Sequence, residues 1–319
     1  MKTVQQEVDE RSTLTGSNKF ELLLFRLGTD QNGARSELFG INIFKIREIV
    51  AMPAVTAIAG AMPHVLGVVN LRGAIIQVLD LPAIAGCVPE SGLNIMLVTE
   101  FARTTQAFAV ESVEEIVRLD WNCVMSAERS AGNGGLVTSI ARLEDDGGGA
   151  RLAQVLDLET ILRNLTPTDR PDVNPGTIGP AIRLKPGAVI LAADDSVVAR
   201  ALIERGFDAV GLPFIMTKTG KEAWDQLHSI AEQAEAEGKS VYDKVAMVLT
   251  DIEMPEMDGF TLTRSIKKST RFHHLPVVIH SSLSGTTNEQ HVKSAGADAY
   301  VAKFSADDLA SAIRSVLRG

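Results

Sequence analysis

Cysteine is scarce in this chain of 319 residues: Cys87 and Cys123 stand alone, without Cys-x-x-Cys spacing or a His/Cys cluster of metal-ligand type. Such isolated residues argue against a disulfide framework or a thiolate metal site and read as reduced, buried thiols of a cytoplasmic protein. Long apolar runs are lacking too. None approaches the roughly 20 residues that a membrane helix needs, and the stretch 1–18 is polar and acidic, without the apolar centre of a signal peptide. Positive charge is outweighed: the net charge is −9, so no nucleic-acid partner is expected, because phosphate backbones require a basic surface. There is no Gly-x-Ser-x-Gly, no Walker loop and no other ATP-binding motif, so nothing here generates phosphoryl groups. His273-His274 lacks ligand partners and reads as a solvated pair, and His280 as a packed strand residue.

What is present suffices for about two domains, with 45% hydrophobic residues to fill their cores. Thr166 to Gly187 carries Pro167, Pro171, Pro175, Pro180 and Pro186, five of the twelve prolines, and reads as an extended linker. The expected organisation is therefore a tail 1–18, a first domain 19–165, a linker 166–187 and a second domain 188–319.

In the second domain Val189 to Ala193 and Val245 to Thr250 are apolar throughout, as strands covered on both faces are. Pro276 to His280 and Ala299 to Ala302 are two more, with helical stretches between, and the stretch Glu232 to Glu237 reads as an exposed helical face before Gly238. An alternating β/α string predicts a doubly wound parallel sheet, which binds ligands outside the carboxyl ends of its strands. Asp194, Asp195, Asp251, Ser281 and Lys303 all fall at such ends and should converge. Three crowded carboxylates repel one another unless a cation compensates. Mg²⁺ suits two carboxylates, a backbone carbonyl such as that of Glu253, and an incoming phosphoryl group. An Asp carboxylate can attack phosphorus, while Mg²⁺ and the Lys303 ammonium neutralise the transferring oxygens.

These residues resemble those of a response-regulator receiver domain: Asp194-Asp195-Ser196, then Asp251 to Gly259 reading Asp-Ile-Glu-Met-Pro-Glu-Met-Asp-Gly, then Ser281, then Lys303. The resemblance implies a flavodoxin-like fold with a five-stranded parallel sheet in the order 2-1-3-4-5. It further implies that Asp251 is the phospho-acceptor, that Asp194, Asp195 and the Glu253 carbonyl bind Mg²⁺, and that Ser281 and Lys303 hold the phosphoryl oxygens. Tyr300 matches the aromatic switch position. The family lysine is usually followed by a cis-proline, whereas Phe304 stands here, and a cis bond before a non-proline residue costs about 3–4 kcal/mol.

The first domain reads as short strands, among them Phe20 to Leu27, Leu38 to Ile43, Asn94 to Glu100 and Gln106 to Val110. With too little helix for a parallel sheet, small closed barrels are expected. Gln-Val-Leu-Asp-Leu occurs at 77–81 and again at 154–158, each copy after a strand (Val65 to Asn70, Leu136 to Arg142) and a glycine turn (Gly73, Gly147 to Gly149), and each entering a short helix. The echo predicts two related halves. No catalytic set is found, and protein binding is expected.

This region resembles a CheW-type coupling domain, a pair of small five-stranded SH3-like barrels. The resemblance rests on Phe39-Gly40-Ile41, on Ile46-Arg47-Glu48-Ile49 and above all on Leu66 to Gly73. Asn70, Leu71, Arg72 and Gly73 should form a hairpin tip, with Arg72 projecting toward a carboxylate of a partner. A coupling domain followed by a receiver is the architecture of CheV-type chemotaxis proteins. It implies a non-enzymatic cytoplasmic adaptor, recruited to receptor arrays without entering the membrane, that links methyl-accepting chemoreceptors to the histidine kinase CheA under control of Asp251. The alternatives are a sink that drains phosphoryl groups from the kinase and an aspartate-nucleophile phosphatase. The latter usually has a second Asp two residues after the nucleophile, where this chain has Glu253.

Overall fold

The computed structural model describes residues 19–30, 33, 35–101, 104–127, 135–144, 149–165, 182–281, 292–303 and 306–318. The tail 1–18, the linker as far as residue 181, the Gly147-Gly148 turn and Phe304 fall outside them. The described residues form two compact units, one on either side of that linker.

The first unit is built of two small sheets. One has the order β10-β1-β3-β13-β12-β11, formed by Phe20–Arg26 (β1), Leu38–Asn42 (β3), Ser112–Leu119 (β10), Val124–Ser126 (β11), Val137–Glu144 (β12) and Ala150–Leu156 (β13). The other has the order β4-β8-β9-β6-β5, formed by Ile46–Ala51 (β4), Val65–Leu71 (β5), Ala74–Asp80 (β6), Ile95–Phe101 (β8) and Thr104–Val110 (β9). Thr29–Asp30 (β2) and Cys87–Val88 (β7) pair separately. The first sheet has six strands rather than five because β10 bends through the turn Trp121–Cys123 and continues as β11, which pairs with β12 at the opposite edge. The second sheet closes by the same device. Beyond β4 the chain crosses over, and Thr56 and Val68 exchange both backbone hydrogen bonds, 2.8 and 2.9 Å, on β5. Each barrel is thus shut by the continuation of its own edge strand, which leaves short edges.

The run Phe20 to Phe25 is almost unbroken because both of its faces are covered. Leu22 and Leu24 fill the first barrel with Ala141, Leu143 and Ala153, and Leu23 and Phe25 meet Leu79, Leu97 and Phe108 of the second sheet in a core shared by both. Glu21, buried in this strand, lies opposite Arg118 of β10 and is ion-paired with it at 2.8 Å. The sequence echo marks equivalent places. β6 and β13 are each the second strand of a hairpin, each pairs in parallel with its other neighbour, and each runs into a short helix, Leu81–Ala85 (α1) and Leu158–Leu165 (α2). The aspartate of each copy caps its helix. Asp80 accepts from the Ala83 N–H, and Asp157 from the Glu159 and Thr160 N–H groups and the Thr160 hydroxyl.

Both cysteines are half-buried, Cys87 on β7 and Cys123 in the turn before β11, and are not core thiols as their isolation suggested. Edge strands and turns leave one side open to solvent.

The second unit is a parallel sheet in the order β15-β14-β16-β17-β18, that is 2-1-3-4-5, from Val189–Ala193 (β14), Phe214–Thr217 (β15), Val245–Thr250 (β16), Val277–Ser281 (β17) and Ala299–Ala302 (β18). Val197–Ala209 (α3) and Ala306–Arg318 (α6) cover one face, and Gly220–Ala236 (α4) and Gly259–Lys268 (α5) the other. The Glu232 to Ala236 stretch extends α4 up to its cap at Glu237. Ile182 and Leu184, placed in the linker on composition, pack against the core under α3 and α6. Lys185 bonds Asp243 at 3.0 Å, so the last linker residues are held on this unit.

Candidate functional site

The strand order of the second unit reverses between β14 and β16, and the carboxyl ends there open a crevice. β14 delivers Asp194 and Asp195, β16 delivers Asp251, β17 ends at Ser281, and β18 is followed by Lys303. The Lys303 ammonium lies 3.0 Å from Asp194 Oδ2 and 3.0 Å from Asp251 Oδ2. All three side chains are buried, whereas Asp195 is exposed at the rim. Each of Asp194, Asp195 and Asp251 offers a carboxylate oxygen, and these lie within 4.8 Å of one another.

Backbone pairing fixes this convergence. The Asp251 N–H donates to Ala193 O at 2.9 Å, Asp194 N–H to Thr217 O at 3.2 Å, and Lys303 N–H to Ser281 O at 2.8 Å. Gly259 opens α5 directly beneath Asp251. A Cβ there would sit 1.9 Å from Asp251 O, so only glycine lets the helix start this close. Asp258 caps that helix through the Thr261 N–H and hydroxyl at 2.7 and 3.0 Å, and burial pushes its carboxyl above the ordinary value. Glu253 lies in the bends between Asp251 and α5, half-buried. Tyr300, also half-buried, pairs with Ile279 across β17–β18, and His280 is packed inside β17 as expected.

Three carboxylates outnumber the cations beside them, the Lys303 ammonium between two of them and the Arg200 guanidinium on their backbone, and burial makes the remaining negative charge costly. A hard divalent cation removes that imbalance, and oxygen is the only donor type offered by the three aspartates. The donor set therefore fits Mg²⁺.

In the first unit Arg72 and Gly73 are the two loop residues of the β5–β6 hairpin, between Leu71 and Ala74. Arg72 and Gly73 have φ of 52° and 90°, the signature of a type I′ turn, and Asn70 Oδ1 accepts the Gly73 N–H at 2.9 Å. Leu71 pairs with Ala74 as the last rung. Arg72 stands exposed at the tip and is at the same time paired within the unit. Its guanidinium is 2.5 Å from Glu48 of β4, because barrel closure folds that strand over to the hairpin; its side chain remains 75% exposed while that of Glu48 is 10% exposed.

Residues 21–166 match the CheW-like domain family, and residues 190–314 match the response regulator receiver domain. Along 313 residues the chain is 29% identical to the chemotaxis protein CheV2 of Helicobacter pylori, spanning 93% of this chain and 95% of that protein. The chain belongs to the CheV-type chemotaxis proteins. CheV3 of the same organism is 28% identical over 307 residues, 94% of this chain and 95% of that one. Among solved structures, the scaffolding protein TtCheW from Thermoanaerobacter tengcongensis is similar to 44% of this chain, over 89% of its own, at 24% identity and a TM-score of 0.37. As a CheV-type protein this one is a chemotaxis signalling chain, a coupling-type domain joined to a receiver, and receivers bind Mg²⁺ through acidic residues. No helix among the described residues is long and apolar enough to cross a membrane.

One residue of this CheV-type site escaped the sequence reading. Arg200, in the first turn of α3, donates to Asp194 O and Asp195 O at 2.9 and 2.7 Å. Its signal was its position one turn after the Asp-Asp-Ser cap, since helical side chains lean back toward the N-terminus.

Proposed function

We propose that this CheV-type chain is a cytoplasmic adaptor that couples chemoreceptors to the histidine kinase CheA, and that phosphorylation of Asp251 tunes the coupling. The reading takes 19–165 as the coupling domain, 188–319 as the receiver and 166–187 as their connection. The observation that carries it is the buried Lys303 ammonium set between the Asp194 and Asp251 carboxylates.

An Asp251 oxygen attacks the phosphorus of the kinase phosphohistidine. An O–P bond forms, the N–P bond breaks, and the imidazole leaves with its electron pair. Asp194, Asp195, Asp251 and the Glu253 carbonyl would hold Mg²⁺, which when bound would supply positive charge against the phosphoryl oxygens. Lys303, already ion-paired with both carboxylates, exchanges one of those contacts for a phosphoryl oxygen, and the Ser281 hydroxyl donates to another. Their movement biases the end of β18 toward a second arrangement in which Tyr300 turns inward, a shift between two populations rather than a new fold. In the coupling domain the tip Asn70, Leu71, Arg72 and Gly73 is the contact for the kinase or receptor, with Glu48 holding Arg72 in place until a partner carboxylate competes for it.

Affinity for the kinase regulatory domain and a receptor-tip fragment, measured with and without Mg²⁺ and a small phosphodonor, tests the proposal. Wild type should shift about 5–150-fold, the range of a 1–3 kcal/mol coupling, and Asp251→Asn should not shift. Stable phosphorylation of Asp251→Asn overturns the assignment of the acceptor. Unaltered affinity in phosphorylated wild type leaves a receiver that drains phosphoryl groups instead.

A further inference from the structure

Arg200 sits where electrostatics opposes it. The N-terminus of a helix carries partial positive charge, so a cation in the first turn of α3 is unfavourable. A guanidinium beside a divalent-cation site also repels the ion. What offsets both is a pair of charge-assisted hydrogen bonds to the carbonyls of Asp194 and Asp195, the two residues that bring carboxylates from β14.

The same short segment is pinned at three further backbone atoms. Asp194 N–H is bonded to Thr217 O at 3.2 Å, Ser196 N–H to Asp194 Oδ1 at 3.0 Å, and Arg200 N–H returns to Ser196 O at 3.0 Å. With both carbonyls engaged by the guanidinium, the donors left to a cation are the side-chain carboxylates. Rotation of the Asp194-Asp195 or Asp195-Ser196 peptide would break a bond to Arg200 and carry Asp195, the one exposed ligand, away from Asp251.

We propose that Arg200 is a positioning residue of the cation site: it acts through the backbone of Asp194 and Asp195, holding their carboxylates toward Asp251, and not through its charge. This rests on the reading of the acidic cluster as a Mg²⁺ site. The two modes of action predict opposite signs. If charge governed, removing Arg200 would tighten Mg²⁺ binding; if positioning governs, removing it weakens binding, as loss of an outer partner of a metal ligand typically does by 10–100-fold.

Calorimetric titration of the full chain with Mg²⁺ alone reads the dissociation constant directly. Arg200→Ala is expected to weaken it by roughly tenfold or more, and Arg200→Lys, which keeps a charged donor but on a stem one bond shorter than that carrying Nη1, the nitrogen that makes both bonds, to recover only part. The Mg²⁺ concentration for half-maximal phosphorylation by a small acyl phosphate should rise by the same factor, with the plateau at saturating Mg²⁺ retained. Thermal melts without Mg²⁺ identify a variant that has lost its fold, and in that event the weakening of Arg200→Lys alone decides. Wild-type binding with an unaltered or tighter constant in a folded Arg200→Ala overturns the positioning role while leaving the cation site standing. A wild type that does not bind Mg²⁺ overturns the cation site and this role together.

Discussion

Glu111 shows how a single carboxylate is held ionised inside this protein. Burial alone would raise its pKa, but the Ser91 N–H and hydroxyl and the Glu90 N–H all donate to Oε1, at 2.5, 3.0 and 2.8 Å, and together hold the carboxyl below its usual 4.5. A folded-state pKa below the unfolded one stabilises the fold above the unfolded value, and that contribution is lost as pH falls through the folded value. The CheW-like unit should therefore lose stability as pH drops below about 4.5, and Glu111→Gln should flatten that part of the profile while lowering stability at neutral pH by about 1–3 kcal/mol. Denaturant midpoints from pH 3 to 7, roughly the span over which carboxylates titrate, check this. Parallel profiles for the two proteins would show that the three donors do not set the titration. Lys303 is the opposite design, one ammonium shared by two carboxylates, which ties its place to partners on two other strands.

At the scale of elements, the two helix caps of the internal echo invite comparison. Asp157 satisfies two backbone N–H groups and a hydroxyl at the start of α2, whereas Asp80 satisfies one N–H at α1. Asp157→Ala should cost about 2 kcal/mol and Asp80→Ala about 1 kcal/mol, read as shifts in urea midpoint at constant slope; equal losses would mean that the extra bonds contribute nothing. That echo was legible in the sequence because hairpin, strand and cap must recur wherever the same barrel is built twice. So were four receiver strands, since strands buried on both faces are apolar throughout, and so was the placing of Asp194, Asp251 and Lys303 at their ends. Phe214–Thr217 was not singled out: its apolar run, Phe-Ile-Met, is only three residues long and follows Pro213, too short to mark a strand by pattern alone. The β10 to β11 bend, the Arg72–Glu48 pair and the grip of Arg200 on two carbonyls are tertiary facts. Each joins residues through a closure or a backbone conformation that no local pattern encodes.

On the scale of the whole molecule, the two units have separate cores, so a ligand of one should stabilise that one. Mg²⁺ at 100 times its dissociation constant should raise the receiver transition by about 2.7 kcal/mol and leave the CheW-like transition in place. Differential scanning calorimetry would show one peak moving, and a single peak moving as a whole would refute independence. The closure of the first barrel has another consequence, for synthesis. Its strands β1 and β3 are made early, but their outer partners, β10 for β1 and β13 for β3, come only after the entire second barrel. At ~5–20 residues per second the ribosome takes roughly 5–20 s to reach β13 after β3. Within that interval the second barrel can fold while the run Phe20 to Phe25 waits for β10 and the edge of β3 waits for β13. The nascent chain thus completes its inner half first, and the segment most in need of a chaperone is one made well before its partners.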